Sequence, residues 1–142
     1  MYCTLDDLIN QSSEAVLIKM TDDDDTGEIN QTIVDRAIDD AQGEIESYCE
    51  SRYALPFSPV PGIIRKVAVD IAIYNLLSRR GYDKDSEDQG IVQRYKDSIK
   101  FLQNLANGVV TVGPRVPSPN QPQTNTIKSS QRIFSRSRME GF

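Results

Sequence analysis

Apolar residues recur at helical spacing along the first 110 or so positions, in blocks punctuated by Ser, Thr, Asp, Pro and Gly. Thr4 opens a short helix that runs to about Asn10, with Leu5, Leu8 and Ile9 on one side. A second short helical piece follows Ser12 or Ser13 and carries Ala15, Val16, Leu17 and Met20. Both starts are expected because a Ser or Thr side chain accepts hydrogen bonds from the free amides of a first turn.

From Asn30 to Tyr53 the apolar positions are Ile33, Val34, Ala37, Ile38, Ala41, Ile45 and Tyr48, the pattern of one long amphipathic helix. Gly43 sits inside it at a cost of about 1 kcal/mol relative to Ala. With Ala37 and Ala41 it predicts the close approach of another helix. The acids Asp35, Asp39, Asp40, Glu44, Glu46 and Glu50 occupy the wet side. Pro56, Pro59 and Pro61 then make a stiff elbow, Pro61 near the first turn of the next helix where its missing amide costs nothing.

The helix after the elbow, from Ile63 to Leu77, is apolar nearly all round and is therefore expected to be central and buried. Asp70 is its odd member. A buried carboxylate needs a partner, so an Arg or a hydroxyl is expected beside it, with Arg52 and Tyr53 as the candidates. Arg79-Arg80-Gly81 ends this helix. A capping box of Ser86 and Gln89 starts the last one, which buries Ile91, Val92, Tyr95, Ile99, Leu102 and Leu105 and stops at Gly108. Val109-Val110-Thr111-Val112 is β-branched and is expected to form a short edge strand, with a partner strand from elsewhere.

The expected fold is all-α: a small helical bundle of three main helices, short N-terminal helices, a short β-strand near 109–112 and an extended C-terminal arm. Residues 1–112 form the domain and residues 113–142 the arm. Pro114, Pro117, Pro119 and Pro122 fall there among Ser, Asn, Gln and Thr, which makes an extended, non-helical segment. Its few apolar side chains do not offset the entropy of ordering it, so it takes structure only against another chain. Arg132, Ile133, Phe134, Arg136, Arg138 and Phe142 are its candidate anchors, because Arg pairs with acidic grooves and Phe fills pockets.

Charge sharpens this division. Residues 1–112 hold 11 Lys/Arg against 20 Asp/Glu, whereas the arm holds Arg115, Lys128, Arg132, Arg136 and Arg138 against Glu140. An acidic body with a basic arm is a partner-seeking arrangement. The chain opens Met-Tyr-Cys-Thr-Leu-Asp-Asp, without the basic start and apolar block of a secretory signal. No run of about 18 apolar residues is present, so no membrane span is expected.

Candidate chemistry is sparse. The chain has no His, which removes the commonest general base and the Ser-His and Cys-His nucleophile pairs. Cys3 and Cys49 lack metal-ligand spacing and are expected to be reduced, buried thiols. The run Asp22-Asp23-Asp24-Asp25-Thr26-Gly27 invites a calcium reading, but an EF-hand register puts Ile33 where a bidentate Glu is required. No catalytic residue, cofactor site or metal site is assigned, and no enzymatic activity is expected.

These elements together carry a family resemblance. The residues are Tyr2/Leu5-Asp6-Asp7-Leu8, Leu17…Met20-Thr21-Asp22-Asp23, and Ile33…Ala37-Ile38…Ala41…Ile45…Tyr48. They continue with Arg52-Tyr53-Ala54-Leu55-Pro56, Val60-Pro61, Asp70-Ile71-Ala72-Ile73-Tyr74, Arg94-Tyr95 and Leu102…Ala106-Asn107-Gly108. Over about residues 2–112 the chain resembles the head–tail connector proteins of Mu-like tailed bacteriophages, also called adaptor or head-completion proteins.

The resemblance implies a virion protein of the neck, assembled in the host cytoplasm. About twelve copies would form a ring below the portal protein. The ring would extend the DNA channel and dock the tail or a stopper protein, and DNA would pass through without sequence-specific binding. The residues that carry the resemblance most specifically are those of the elbow: Arg52, Tyr53, Leu55, Pro56, Pro61 and Asp70. A nucleic-acid-binding helical protein that grips phosphates with Arg132 to Arg138 is the alternative. The acidic body and the lack of a basic helical stripe oppose it.

Overall fold

The computed structural model describes residues 1–81 and 88–113, which contain five helices and no strand. These are α1 (Leu5–Ser12), α2 (Glu14–Thr21), α3 (Gln31–Cys49), α4 (Gly62–Arg80) and α5 (Gln89–Ala106). None of the described helices is long and apolar enough to cross a membrane. The arm beyond Gly113 lies outside the described residues, as does the Ser86 half of the expected capping box.

The three long helices α3, α4 and α5 pack on one another, and the short α1 and α2 lie against α4. Helix α4 is the central element for the reason its sequence implies. Ile64, Val67, Ala68, Ile71, Ala72, Ile73 and Leu76 are buried around its circumference, so neighbours must cover it on several sides. Leu8 from α1, Leu17 from α2, Val34, Ile38 and Ile45 from α3, and Leu102 and Leu105 from α5 complete a single core.

The short helices differ at their starts. Thr4 caps α1 through a reciprocal capping box with Asp7. Ser13, between α1 and α2, makes no side-chain cap; its φ of 76° turns the chain sharply instead. Asn30 caps α3 by accepting from the Ile33 amide at 3.3 Å.

Besides the missing Ser13 cap, three sequence-based expectations are corrected. First, Val109–Val112 is not a strand. α5 ends in a Schellman turn in which Gly108, at φ 76°, donates to Leu105 and the Val109 amide donates 2.9 Å to the Asn104 carbonyl. The Val110 amide bonds to the same carbonyl at 3.3 Å, and Val112 donates to the Tyr53 hydroxyl at 3.2 Å. Those amides are spent on a helix end and a side chain, which leaves no ladder to form.

Second, Asp70 is buried and has an arginine and a hydroxyl near it as expected, but they are Arg94 and Ser98 rather than Arg52 and Tyr53. Its Oδ2 accepts from Lys66 Nζ at 2.8 Å, one turn earlier on α4, and lies 3.5 Å from Ser98 Oγ on α5. Arg94 Nε stands 3.7 Å from Oδ1. Third, Gly43 does not seat another helix of this chain. Ala37 and Ala41 are buried, but Gly43 is exposed, and a Cβ added there would meet nothing within 4 Å.

Candidate functional site

The elbow between α3 and α4 gathers parts of the chain that are far apart in sequence. Tyr53 is buried, and its ring centroid lies 5.6 Å from that of Phe57. Phe57 in turn lies 5.7 Å from Tyr2 at the N-terminus. The Tyr2 hydroxyl donates to Glu46 Oε1 on α3 at 2.8 Å and accepts from the Phe57 amide at 3.1 Å. Burial and the neighbouring Glu46 carboxylate, partly offset by the Phe57 amide, push the Tyr2 hydroxyl up to about 12. The Tyr53 hydroxyl holds Val112, just beyond α5.

Arg52 closes the same clamp from the other side. A Cβ at Gly108 would lie 2.5 Å from its guanidinium, so a side chain there would displace the end of Arg52, while the φ of 76° itself favours glycine. Leu55 is half-buried against the core, whereas Pro56 is exposed. Pro61 sits at the N-cap of α4. Of the expected elbow residues, the structure brings Arg52, Tyr53, Leu55, Pro56 and Pro61 into one region and leaves Asp70 outside it, in the seam between α4 and α5. The arm residues Arg132, Ile133, Phe134, Arg136, Arg138 and Phe142 lie outside the described residues.

Two further constellations were not foreseen from sequence. At the C-terminal end of α4, Arg79 makes a bidentate pair with Asp23, both bonds 2.8 Å, and donates to the Met20 carbonyl at 3.2 Å. Arg80 adds bonds to Asp23 at 3.1 Å, to the Asp22 carbonyl at 2.7 Å and to the Lys19 carbonyl. The two arginines thus satisfy last-turn carbonyls of α2 that have no intrahelical partner. They hold the Asp23 carboxyl down at about 2. Two adjacent basic residues ahead of a glycine read as a stop signal; the acidic run they face was the missed half of the signal.

The second constellation joins the long helices. Tyr74 of α4 and Tyr95 of α5 stack with centroids 3.9 Å apart at an interplanar angle of 10°. The Tyr95 hydroxyl donates to Glu44 of α3 at 3.1 Å, and burial with that carboxylate pushes it up to about 12. One aromatic pair therefore touches all three long helices.

Much of the polar chemistry of the described residues is engaged in the scaffold. Asp22 accepts from the Thr26 and Gly27 amides at 2.9 and 2.7 Å, which lowers its pKa and turns the acidic loop in on itself. With Asp23 taken by the arginines, the first two acids of that loop have partners from the chain. Among the described residues no group of three His, Cys, Asp or Glu side chains is placed to hold a metal ion. Cys3 and Cys49 are free and buried, and burial pushes both thiols up to about 11, away from thiolate reactivity. A cleft of about 400 Å³ lies where α2, α4 and α5 meet, walled by Val16, Met20, Leu77 and Ile91 and rimmed by Lys19 and Arg94.

Comparison with known proteins places this scaffold. The chain is 26% identical over 144 residues to the Mu-like prophage FluMu protein gp36 of Haemophilus influenzae, covering 100% of this chain and 98% of that protein. It is 23% identical over 145 residues to gene product J of Escherichia phage Mu, covering 99% and 98%. A family model described as Bacteriophage Mu, Gp36 matches residues 2–131, beyond the helical body and into the proline-bearing arm. The elbow-centred bundle with the first part of its arm is thus one family unit, and the chain belongs to the Bacteriophage Mu Gp36 family of Mu-like phage proteins.

Proposed function

We propose that this chain is a structural protein of the phage neck, a head–tail connector. Copies form a ring of about twelve below the portal protein, which extends the DNA channel and provides the seat for the tail or a stopper protein. The reading is carried by the family match, which runs from the N-terminus through the body into the arm and involves phage and prophage relatives over nearly their full lengths. The geometry is compatible with it. The bonds of the elbow, the Arg79/Arg80 clamp and the Tyr74–Tyr95 stack hold the helices to one another, as a structural part requires.

The acidic body suits a channel. Strong binding of DNA needs Lys and Arg contacts to the phosphates, so a wall with a surplus of carboxylates lets the duplex slide. The basic arm is the part that reaches out, with Arg132, Phe134, Arg136, Arg138 and Phe142 anchoring on a portal subunit or a neighbouring connector. No enzymatic step is assigned to the chain.

The test is assembly on portal-bearing heads, read by particle mass and by images of the neck. The full chain is expected as a ring at the base of the head. A chain lacking residues 120–142 is expected to keep its helical body and to fail to dock. A full-length protein that stays monomeric with such heads, and is absent from the necks of finished particles, overturns the reading.

A further inference from the structure

Charge is sorted between the helices of the bundle. On α3, Asp35, Asp39, Asp40, Glu44 and Glu46 stand against Arg36. On α5, Arg94, Lys96 and Lys100 stand against Asp97. Many of these groups are engaged within the chain. Glu44 and Glu46 take the tyrosine hydroxyls, and Asp35 accepts from Gln31. Asp97 accepts from Gln93, and Arg94 faces Asp70.

Asp39 and Asp40 on α3, and Lys96 and Lys100 on α5, remain exposed, and none of the four has an ion pair or side-chain hydrogen bond among the described residues. Lys96 and Lys100 are one turn apart and share a face; Asp39, Asp40 and Gly43 likewise form one patch of α3, with the exposed Arg36 one turn before the two acids. Gly43 supplies an independent observation. It interrupts a long helix at a cost in helix propensity, and the open space around it shows that no neighbour within the chain needs the missing side chain.

We infer that the Asp39/Asp40/Gly43 face of α3 docks against the Lys96/Lys100 face of α5 on a second copy of the chain. Opposite charges set the register, and the missing Cβ lets the neighbouring helix come close. The two faces are different surfaces, so they can meet head-to-tail, each copy offering one face to each of two neighbours. A contact of that kind propagates and closes into a ring when the rotation between copies allows. The inference rests on the connector reading and names the surfaces through which its ring forms.

The experiment uses the full-length chain and portal-bearing heads, with ring formation read by sedimentation and particle mass at low ionic strength. Asp39→Lys/Asp40→Lys and Lys96→Asp/Lys100→Asp are each expected to weaken assembly by at least ~tenfold, because like charges then face each other. Mixing the two variants is expected to restore rings, since every junction in an alternating ring again pairs opposite charges. Gly43→Gln is expected to leave the monomer at least as resistant to urea as the parent and to block rings by bulk. Circular dichroism checks that all variants remain helical. If the parent forms rings and all three variants assemble equally well, the inference falls and the connector reading stands. If the parent forms no ring with or without heads, both fall.

Discussion

Helix α4 starts from an elbow held by buried rings and hydroxyls, and it ends under two arginines laid over an exposed carboxylate and the last carbonyls of α2. At the first end, Tyr53 is 4% exposed and supports both the aromatic stack and the turn beyond α5. At the second, the Arg79 and Asp23 side chains are 37% and 42% exposed. Water screens the second end and not the first. The elbow should therefore carry most of the stability, whereas the arginine clamp mainly orients α2 and the acidic loop.

Substitutions at Tyr53 give the largest expected contrast. Tyr53→Ala removes a buried ring and should cost about 3 kcal/mol in urea unfolding, in the range for large-to-small changes in a core. Tyr53→Phe keeps the ring but leaves the Val112 amide without its acceptor and should cost about 1 kcal/mol. Equal and negligible losses for the two would mean that the elbow does not carry most of the stability.

The alkaline limb of stability sharpens the contrast next. A tyrosine whose hydroxyl is raised in the folded state favours folding below its ordinary value of about 10 and loses that contribution as pH rises toward the folded value. Tyr2 and Tyr95 are both raised to about 12, so stability should fall between about pH 10 and 12. Tyr2→Phe should flatten the share of the fall that comes from the elbow and leave that of Tyr95. Ultraviolet titration of the phenolates alongside unfolding curves checks the assignment.

The smallest effect belongs to the clamp, and its sign is opposite. Asp23 is lowered to about 2, so its contribution is complete above the ordinary carboxylate value near 4 and is lost as pH falls from about 4 to about 2. Asp22, lowered by the Thr26 and Gly27 amides, fades in the same direction. Asp23→Asn should produce a small drop in the thermal midpoint at neutral pH and a shallower acid limb. High salt should erase most of the difference between variant and parent. An acid limb unchanged by the substitution would assign it to other carboxylates.

Much of the fold was legible in the chain. The long helices, their order, the elbow and the burial of the helix after it follow from apolar periodicity and proline placement, because these are properties of neighbours in sequence. Arg52-Tyr53 was recognised as the centre of the elbow, yet its partners, Gly108 for Arg52 and Val112 for Tyr53, were not. Asp70 shows the same limit. Its burial was evident from its place on an apolar helix, but the choice of Lys66, Arg94 and Ser98 depended on how α5 lies across α4. Val109–Val112 carries the side chains of a strand, and the helix end claimed two of its amides first.

By itself the sequence determined which segments are helical, which of their faces seek cover, and that an acidic first part is followed by a basic C-terminal stretch, since each depends on local spacing and composition. Only the tertiary structure decided which residues meet: the arginines with Asp23, the stacked tyrosines with Glu44, and the exposed position of Gly43 beside Asp39 and Asp40. The physical reason is that periodicity states how strongly a face must be buried, whereas hydrogen bonds and ion pairs act over a few ångströms and select partners only after packing has set the helices against one another.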